Sequence, residues 1–209
     1  MKKETKTKRI VRLKENTNCF YYPQEILNIL KIAKPRQKLT LQIQLHTGAR
    51  INEARHIKVG DVDFKRNNII LRVTKVKSKK NEKRPSPRII PISSKLALII
   101  ERAINTFKLK EDDYLPLLKV NSYSEWLKRI TEKLLKRKDF KDFSSHNVRK
   151  TTETWLVALG IDSLKIVKHL GHTMNVAASN YVSSDIFTRE EKVIMRKILG
   201  DLYSYNERF

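Results

Sequence analysis

Residues 144 to 172 read SSHNVRKTTETWLVALGIDSLKIVKHLGH, and two glycines divide the stretch. Apolar residues recur at helical spacing up to Gly160, and again from Asp162 to Gly171. The pattern predicts two consecutive helices, each stopped by a glycine. Trp155 lies on the apolar stripe of the first and is expected in a core. Ser144 and Ser145 precede that helix as candidate N-caps, which puts His146 and Arg149 in its first turn. Three residues apart, they share one face and can reach one ligand. The free N–H groups and the helix dipole there favour an anion such as phosphate. A capped surface helix with a polar first turn would carry the same residues, so the pair alone does not define a site.

The helical pattern extends in both directions. In YPQEILNILKIAK, Pro23 suits a first turn, and Ile26, Leu27, Leu30 and Ala33 predict a helix from about 23 to 34. Leu39, Ile43 and Leu45 lead into HTGARINEARHI (46–57), where Gly48 marks a tight turn between helical stretches. VGDVDFKRNN (59–68) reads as a loop. IILRVTKV (69–76) and RIIPI (88–92) read as two strands of an antiparallel hairpin, joined through Pro85 and Pro87. SSKLALIIERAINTF (93–107) and NSYSEWLKRITEKLLKRK (121–138) each offer a serine cap and an apolar stripe, the second through Trp126, Leu127, Ile130 and Leu134. A short helix leads to Tyr181, and REEKVIMRKILGDLY (189–203) follows, with Val193, Ile194, Ile198, Leu199 and Leu202 as its stripe. The expected fold is mainly α with a small antiparallel β-sheet or hairpin. A basic arm occupies 1–19, the main domain 20–185, and a C-terminal helix 186–209.

Charge narrows the partner. The chain has 45 Lys and Arg against 22 Asp and Glu, a formal charge of +23. Basic residues concentrate at Lys2–Lys14, Lys75–Arg88 and Lys128–Lys141 without balancing acids, which points to a polyanion, nucleic acid above all. No stretch pairs a basic face with a bulky aromatic-rich apolar face, so an anionic membrane surface fits less well. No apolar run has the length of a membrane span and no signal-peptide pattern follows the lysine-rich start, so a cytoplasmic, DNA-associated location is expected. The lone Cys19 cannot form an internal disulfide, and no Cys/His cluster suggests a metal site.

The order of polar signals carries the functional reading. TGARINEA (47–54) with Arg50, RVTKVK (72–77) with its lysines, HNVR (146–149), LGH (170–172) and Tyr181 follow one another along most of the chain. This order resembles the tyrosine recombinases, the family of phage integrases and chromosome-dimer resolvases, and His146, Arg149, His172 and Tyr181 keep the intervals of its motif. The resemblance implies that family's catalytic-domain fold and a site-specific recombinase that cuts and rejoins double-stranded DNA through a 3′-phosphotyrosine. It further implies no metal or nucleotide cofactor and a tetramer on paired sites, with the C-terminal helix (186–209) docking on a neighbouring protomer.

The chemistry asks for matching parts: a nucleophile, cations around the phosphate, and a proton donor for the departing 5′ oxygen. By resemblance, Tyr181 is the nucleophile and Arg50 and Arg149 hold the scissile phosphate. His146 and His172 would donate hydrogen bonds to it, and either could assist deprotonation of Tyr181. Lys75 matches the general acid; Lys77, on the same strand face, is the alternative. Glu53 resembles an acidic residue that orients an active-site arginine or histidine, although an acid there would also satisfy the dipole of its helix. Lys150 stands where the family often has histidine. Most family members carry a separate DNA-clamping domain, where this chain has about twenty residues before the match. A type IB topoisomerase shares the residue set, and a non-catalytic DNA-binding module would share the fold and charge.

Overall fold

The structure is a computed structural model, and it describes residues 20–72, 87–171 and 186–204. The expected basic arm, the strand end with Lys75 and Lys77, and His172 and Tyr181 with the helix leading to Tyr181 lie outside the described residues.

Eight α-helices and three short strands are described: α1 (Pro23–Ile32), α2 (Pro35–Thr47), α3 (Ile51–Ala54), β1 (Val62–Asp63), β2 (Asn68–Leu71), β3 (Arg88–Pro91), α4 (Ser94–Phe107), α5 (Val120–Lys133), α6 (Ser145–Ala158), α7 (Ser163–Leu170) and α8 (Arg189–Leu199). Pro23 and Pro35 open α1 and α2, where a missing N–H leaves no hydrogen bond unmade. Asp162 caps α7 and Thr188 caps α8, each accepting from backbone N–H groups of the first turn. Among the described residues, no helix is long and apolar enough to cross a membrane.

Two cores form, and α2 belongs to both. Leu41 and Leu45 join a helical core with Ile26, Ile29, Trp126, Trp155 and Leu170. Leu39 and Ile43 join a second core with Ile57, Ile69, Leu71, Ile90 and Ile100, between the sheet and α4. From Leu39 to Thr47 every residue of α2 is buried, so the helix has no solvent face to mark it as amphipathic. Its two buried threonines bond to backbone instead: Thr40 donates to the Arg36 carbonyl and accepts the Leu118 N–H, and Thr47 donates to the Ile43 carbonyl.

The sheet departs from a plain hairpin. Val62 and Asp63, expected in a loop, pair with Ile69 and Asn68, so the order is β1-β2-β3, antiparallel throughout. A two-residue strand is too short to leave a period in the sequence. Ile69 and Leu71 face the core as expected, opposite Ile90 and Arg88 of β3. The start of α5 also differs. Lys119, not a serine, occupies its N-cap, because the Leu118 N–H is held by Thr40 and the chain turns helical at Val120. Ser93 caps α4 as expected, accepting the Leu96 N–H.

The C-terminal helix α8 lies against α1 of its own chain and buries Met195, Ile198 and Leu199 in the helical core. Val193, placed on the same stripe by the sequence, is instead 61% exposed.

Candidate active site

Three chain segments converge at the start of α6. Ser144 caps that helix: its Oγ accepts the His146 N–H at 3.3 Å, and Asn147 Oδ1 accepts the Ser144 N–H at 2.8 Å. His146 is exposed in the first turn, as the sequence pattern placed it. Arg149 shares the face but not the exposure, since only 1% of it is accessible. Its Nη1 donates to the Gly48 carbonyl and its Nη2 to the Leu170 carbonyl, both at 2.6 Å. These carbonyls end α2 and α7, where helices present unpaired oxygens and the negative pole of their dipoles. Burial first, and then the nearby Arg50, bring the Arg149 guanidinium down to about 10, so it stays charged at neutral pH. Arg149 therefore joins the TGAR and LGH stretches through a buried cation.

The two turns it joins also interlock. Gly48 is left-handed, with φ 55°, and a Cβ there would lie 2.2 Å from Leu170 Cδ2. Gln44 Nε2 adds a bridge, donating to the Ala49 carbonyl at 3.2 Å and the Ser145 carbonyl at 2.8 Å.

Arg50 stands at the N-cap of α3, its side chain 51% exposed. Glu53, one turn on, is 2% exposed and accepts from the Arg50 N–H and from Arg50 Nη1, both at 3.1 Å. Its other partner is Arg88 Nη2, at 2.9 Å. Burial alone would raise the Glu53 carboxyl. The bonds and charges of Arg88 and Arg50 outweigh burial and hold it below the usual carboxylate range. Glu53 thus fulfils both readings open in the sequence, capping α3 and orienting an arginine.

Arg88 escaped the sequence reading. The available signal was its parity with Ile90 and Ile92 on a strand whose inward face is apolar, where a charge is out of place. Arg88 and Arg50 both act on Arg149 electrostatically, opposed by Glu53 and Glu153. Three guanidiniums against two carboxylates leave an excess of positive charge suited to an anion.

Two buried histidines lie behind this cluster. His169 Nε2 donates to the His46 carbonyl at 2.8 Å, so its Nδ1 is the acceptor for the Tyr203 hydroxyl, also at 2.8 Å. Burial brings His169 down to about 4 and His46 to about 3, so both are neutral at neutral pH. Of the expected site residues, Arg50 lies within electrostatic reach of Arg149, and His146 stands one turn before Arg149 on α6. Lys75, His172 and Tyr181 lie outside the described residues, although Gly171, next to His172, is described against the Arg88 guanidinium.

A helical body with a three-stranded sheet, and an arginine cluster where two glycine turns meet the start of a helix, define the catalytic-domain fold of tyrosine recombinases. Residues 20–186 match the Phage integrase family, and the chain belongs to that family. It is 30% identical over 149 residues to tyrosine recombinase XerA of Saccharolobus solfataricus, covering 71% of this chain and 45% of that protein. It is 27% identical over 166 residues to a tyrosine recombinase of Pseudothermotoga lettingae, covering 78% and 55%. Among solved structures, it is similar to XerA recombinase, with a TM-score of 0.60 and 16% identity over 90% of this chain and 64% of that one. It is also similar to XerH site-specific recombinase bound to difH substrate in a pre-cleavage complex, with a TM-score of 0.63 and 18% identity over 87% and 54%. The chain spans about half the length of the curated relatives it matches.

Proposed function

We propose that this chain carries out site-specific DNA recombination, with Tyr181 as nucleophile. The Tyr181 oxygen attacks the phosphorus of a scissile phosphate, forming a 3′-phosphotyrosyl bond as the bond to the 5′ oxygen breaks. The tyrosine proton passes to a neighbouring base, His146 or His172. Lys75 delivers a proton to the departing 5′ oxygen, and rejoining runs the same steps backwards. Arg50 and Arg149 take the charge that builds on the non-bridging oxygens, and the exposed first turn of α6 offers His146 as a further donor. Neither a metal nor a nucleotide is used.

The observation that carries this reading is the pair of hydrogen bonds that Arg149 donates to the Gly48 and Leu170 carbonyls. It brings the segment of Arg50 and the segment leading into His172 to one cation, in a chain of the integrase family. Three of the tyrosines described elsewhere are poor rivals. Tyr21 and Tyr123 are buried, which raises both phenols, and burial pushes Tyr203 up to about 12 while its hydroxyl is bonded to His169. Double-stranded DNA is the substrate, and a tetramer on paired sites is the assembly, in which α8 could exchange between protomers by taking the place of its equivalent on α1.

Incubation with a nicked suicide duplex, resolved on a denaturing gel, tests the chemistry. The chain should become covalently attached to DNA. Tyr181→Phe should abolish attachment while leaving duplex affinity within about 1 kcal/mol, the range of a mild substitution. Covalent capture by Tyr181→Phe would mean that another residue is the nucleophile.

A further inference from the structure

Arg88 is a charged side chain on the inward face of a strand, and the cleavage chemistry proposed above gives it no part. Its guanidinium lies against the Gly171 backbone, where a Cβ would come within 2.9 Å of Nη1 and 3.3 Å of Nε. Nη2 donates to Glu53 Oε2 at 2.9 Å, and Nε is buried with no hydrogen-bond partner among the described residues. Glu53 Oε1 meanwhile accepts Arg50 Nη1 at 3.1 Å. With 16% of its side chain exposed, Arg88 sits behind Arg50, whose side chain is 51% exposed.

One buried carboxylate therefore serves two guanidiniums. If Glu53 faced Arg50 alone, the two would form a one-to-one ion pair, and the carboxylate would compete with a phosphate for Arg50 donors. With Arg88 on Oε2, Glu53 still fixes Arg50 through Oε1 and the backbone N–H, but its charge is divided. We infer that Arg88 is a positioning residue that acts through Glu53, dividing the charge of that carboxylate so that Arg50 is oriented without being neutralised and keeps its outer donors for an anion. That the anion is a DNA phosphate rests on the strand-transfer reading above.

The test compares Arg88→Met, which keeps the stem volume and removes the charge, with Arg88→Lys, which keeps the charge. Single-turnover cleavage of the nicked duplex should fall roughly tenfold to a hundredfold in Arg88→Met, the scale of a mispositioned group. Duplex affinity should stay within about threefold, because Arg88 itself is set back from the surface. Arg88→Lys should remain within about fivefold of the parent rate. The sign of a second change is decisive. Glu53→Gln alone should slow cleavage, yet added to Arg88→Met it should restore rate, since the undivided carboxylate is then gone. A residue that only fills space, or that holds phosphate directly, would not produce this reversal.

Stabilisation by inorganic sulfate, read as a thermal shift, gives the same comparison without cleavage. It should be large in the parent and Arg88→Lys, small in Arg88→Met, and recovered in the double variant. That sulfate pattern with no covalent adduct from the parent would sink the recombinase reading and leave the charge division standing. An active parent with Arg88→Met at full rate, or with Glu53→Gln deepening the Arg88→Met defect, would overturn the inference. If Arg88→Met does not fold, Arg88→Lys decides: a rate near the parent supports charge division, and a loss beyond tenfold, about 1.4 kcal/mol, overturns it.

Discussion

Alanine at Gly48 tests whether the turn after α2 is jammed against the end of α7. The left-handed backbone there costs a non-glycine residue roughly 1–2 kcal/mol. The new methyl would lie 2.2 Å from Leu170 Cδ2, far inside van der Waals contact, so Leu170 must leave its rotamer or the turn must shift. Overpacking of this kind costs about 1–3 kcal/mol, which brings the expected loss to roughly 2–5 kcal/mol. Gly160 provides the control, because its φ is 75° but, among the described residues, nothing lies within 4 Å of where its Cβ would be. Gly160→Ala should therefore cost only the backbone part, roughly 1–2 kcal/mol. Equilibrium urea unfolding followed by the fluorescence of the buried Trp126 and Trp155 reads both variants. Leu170→Ala alone should cost about 2–5 kcal/mol, but in its background Gly48→Ala should fall to the level of Gly160→Ala. Equal losses at positions 48 and 160, or strict additivity of Gly48→Ala with Leu170→Ala, would refute the interlocking of the two turns.

Two further outcomes follow from the site. His169 is lowered to about 4 in the folded chain, so between that value and its ordinary value near 6.5 the unfolded chain binds the extra proton. Its stabilising contribution is full above about pH 6.5 and falls away with acidification towards pH 4, by on the order of 3 kcal/mol. His169→Gln should flatten that part of the stability profile in urea titrations at pH 7 and pH 4.5, and an unchanged profile would exclude His169 as the source. Lys75→Ala should lose cleavage of an ordinary phosphodiester but regain it with a 5′-bridging sulfur, since a thiolate leaves without a general acid. Rescue of Lys77→Ala in place of Lys75→Ala would move the general acid two positions along.

What could be read from the sequence was what local chemistry fixes. The glycines at 160 and 171 and the proline at 23 set helix ends through their backbones, and the serine at 144 does so through its side chain, and those ends stand where the pattern put them. Arg50, His146 and Arg149 were singled out by their order along the chain. The burial of Arg149 was not, because it depends on where the carbonyls of Gly48 and Leu170 meet, a matter of tertiary packing alone. Arg88 stayed hidden for the same reason: its partner Glu53 lies in another element, and only its parity on β3 hinted at an inward charge. In α2, LTLQIQLHT alternates polar and apolar residues like a strand, and burial of its polar side chains on every face removed the usual helical stripe.

The sharing of α2 between two cores bears on how the protein comes apart. Leu41 and Leu45 serve the bundle, and Leu39 and Ile43 serve the sheet side, so neither half keeps its wall if the other melts. The two halves should open as one cooperative unit, with the α2 amides among the slowest to exchange with solvent deuterium. A cut in the loop after α4 would then part the helical core, leaving Leu41 and Leu45 on one fragment and Trp126, Trp155 and Leu170 on the other. The arginine cluster, at the end of this common helix, is held by the last part of the molecule to loosen.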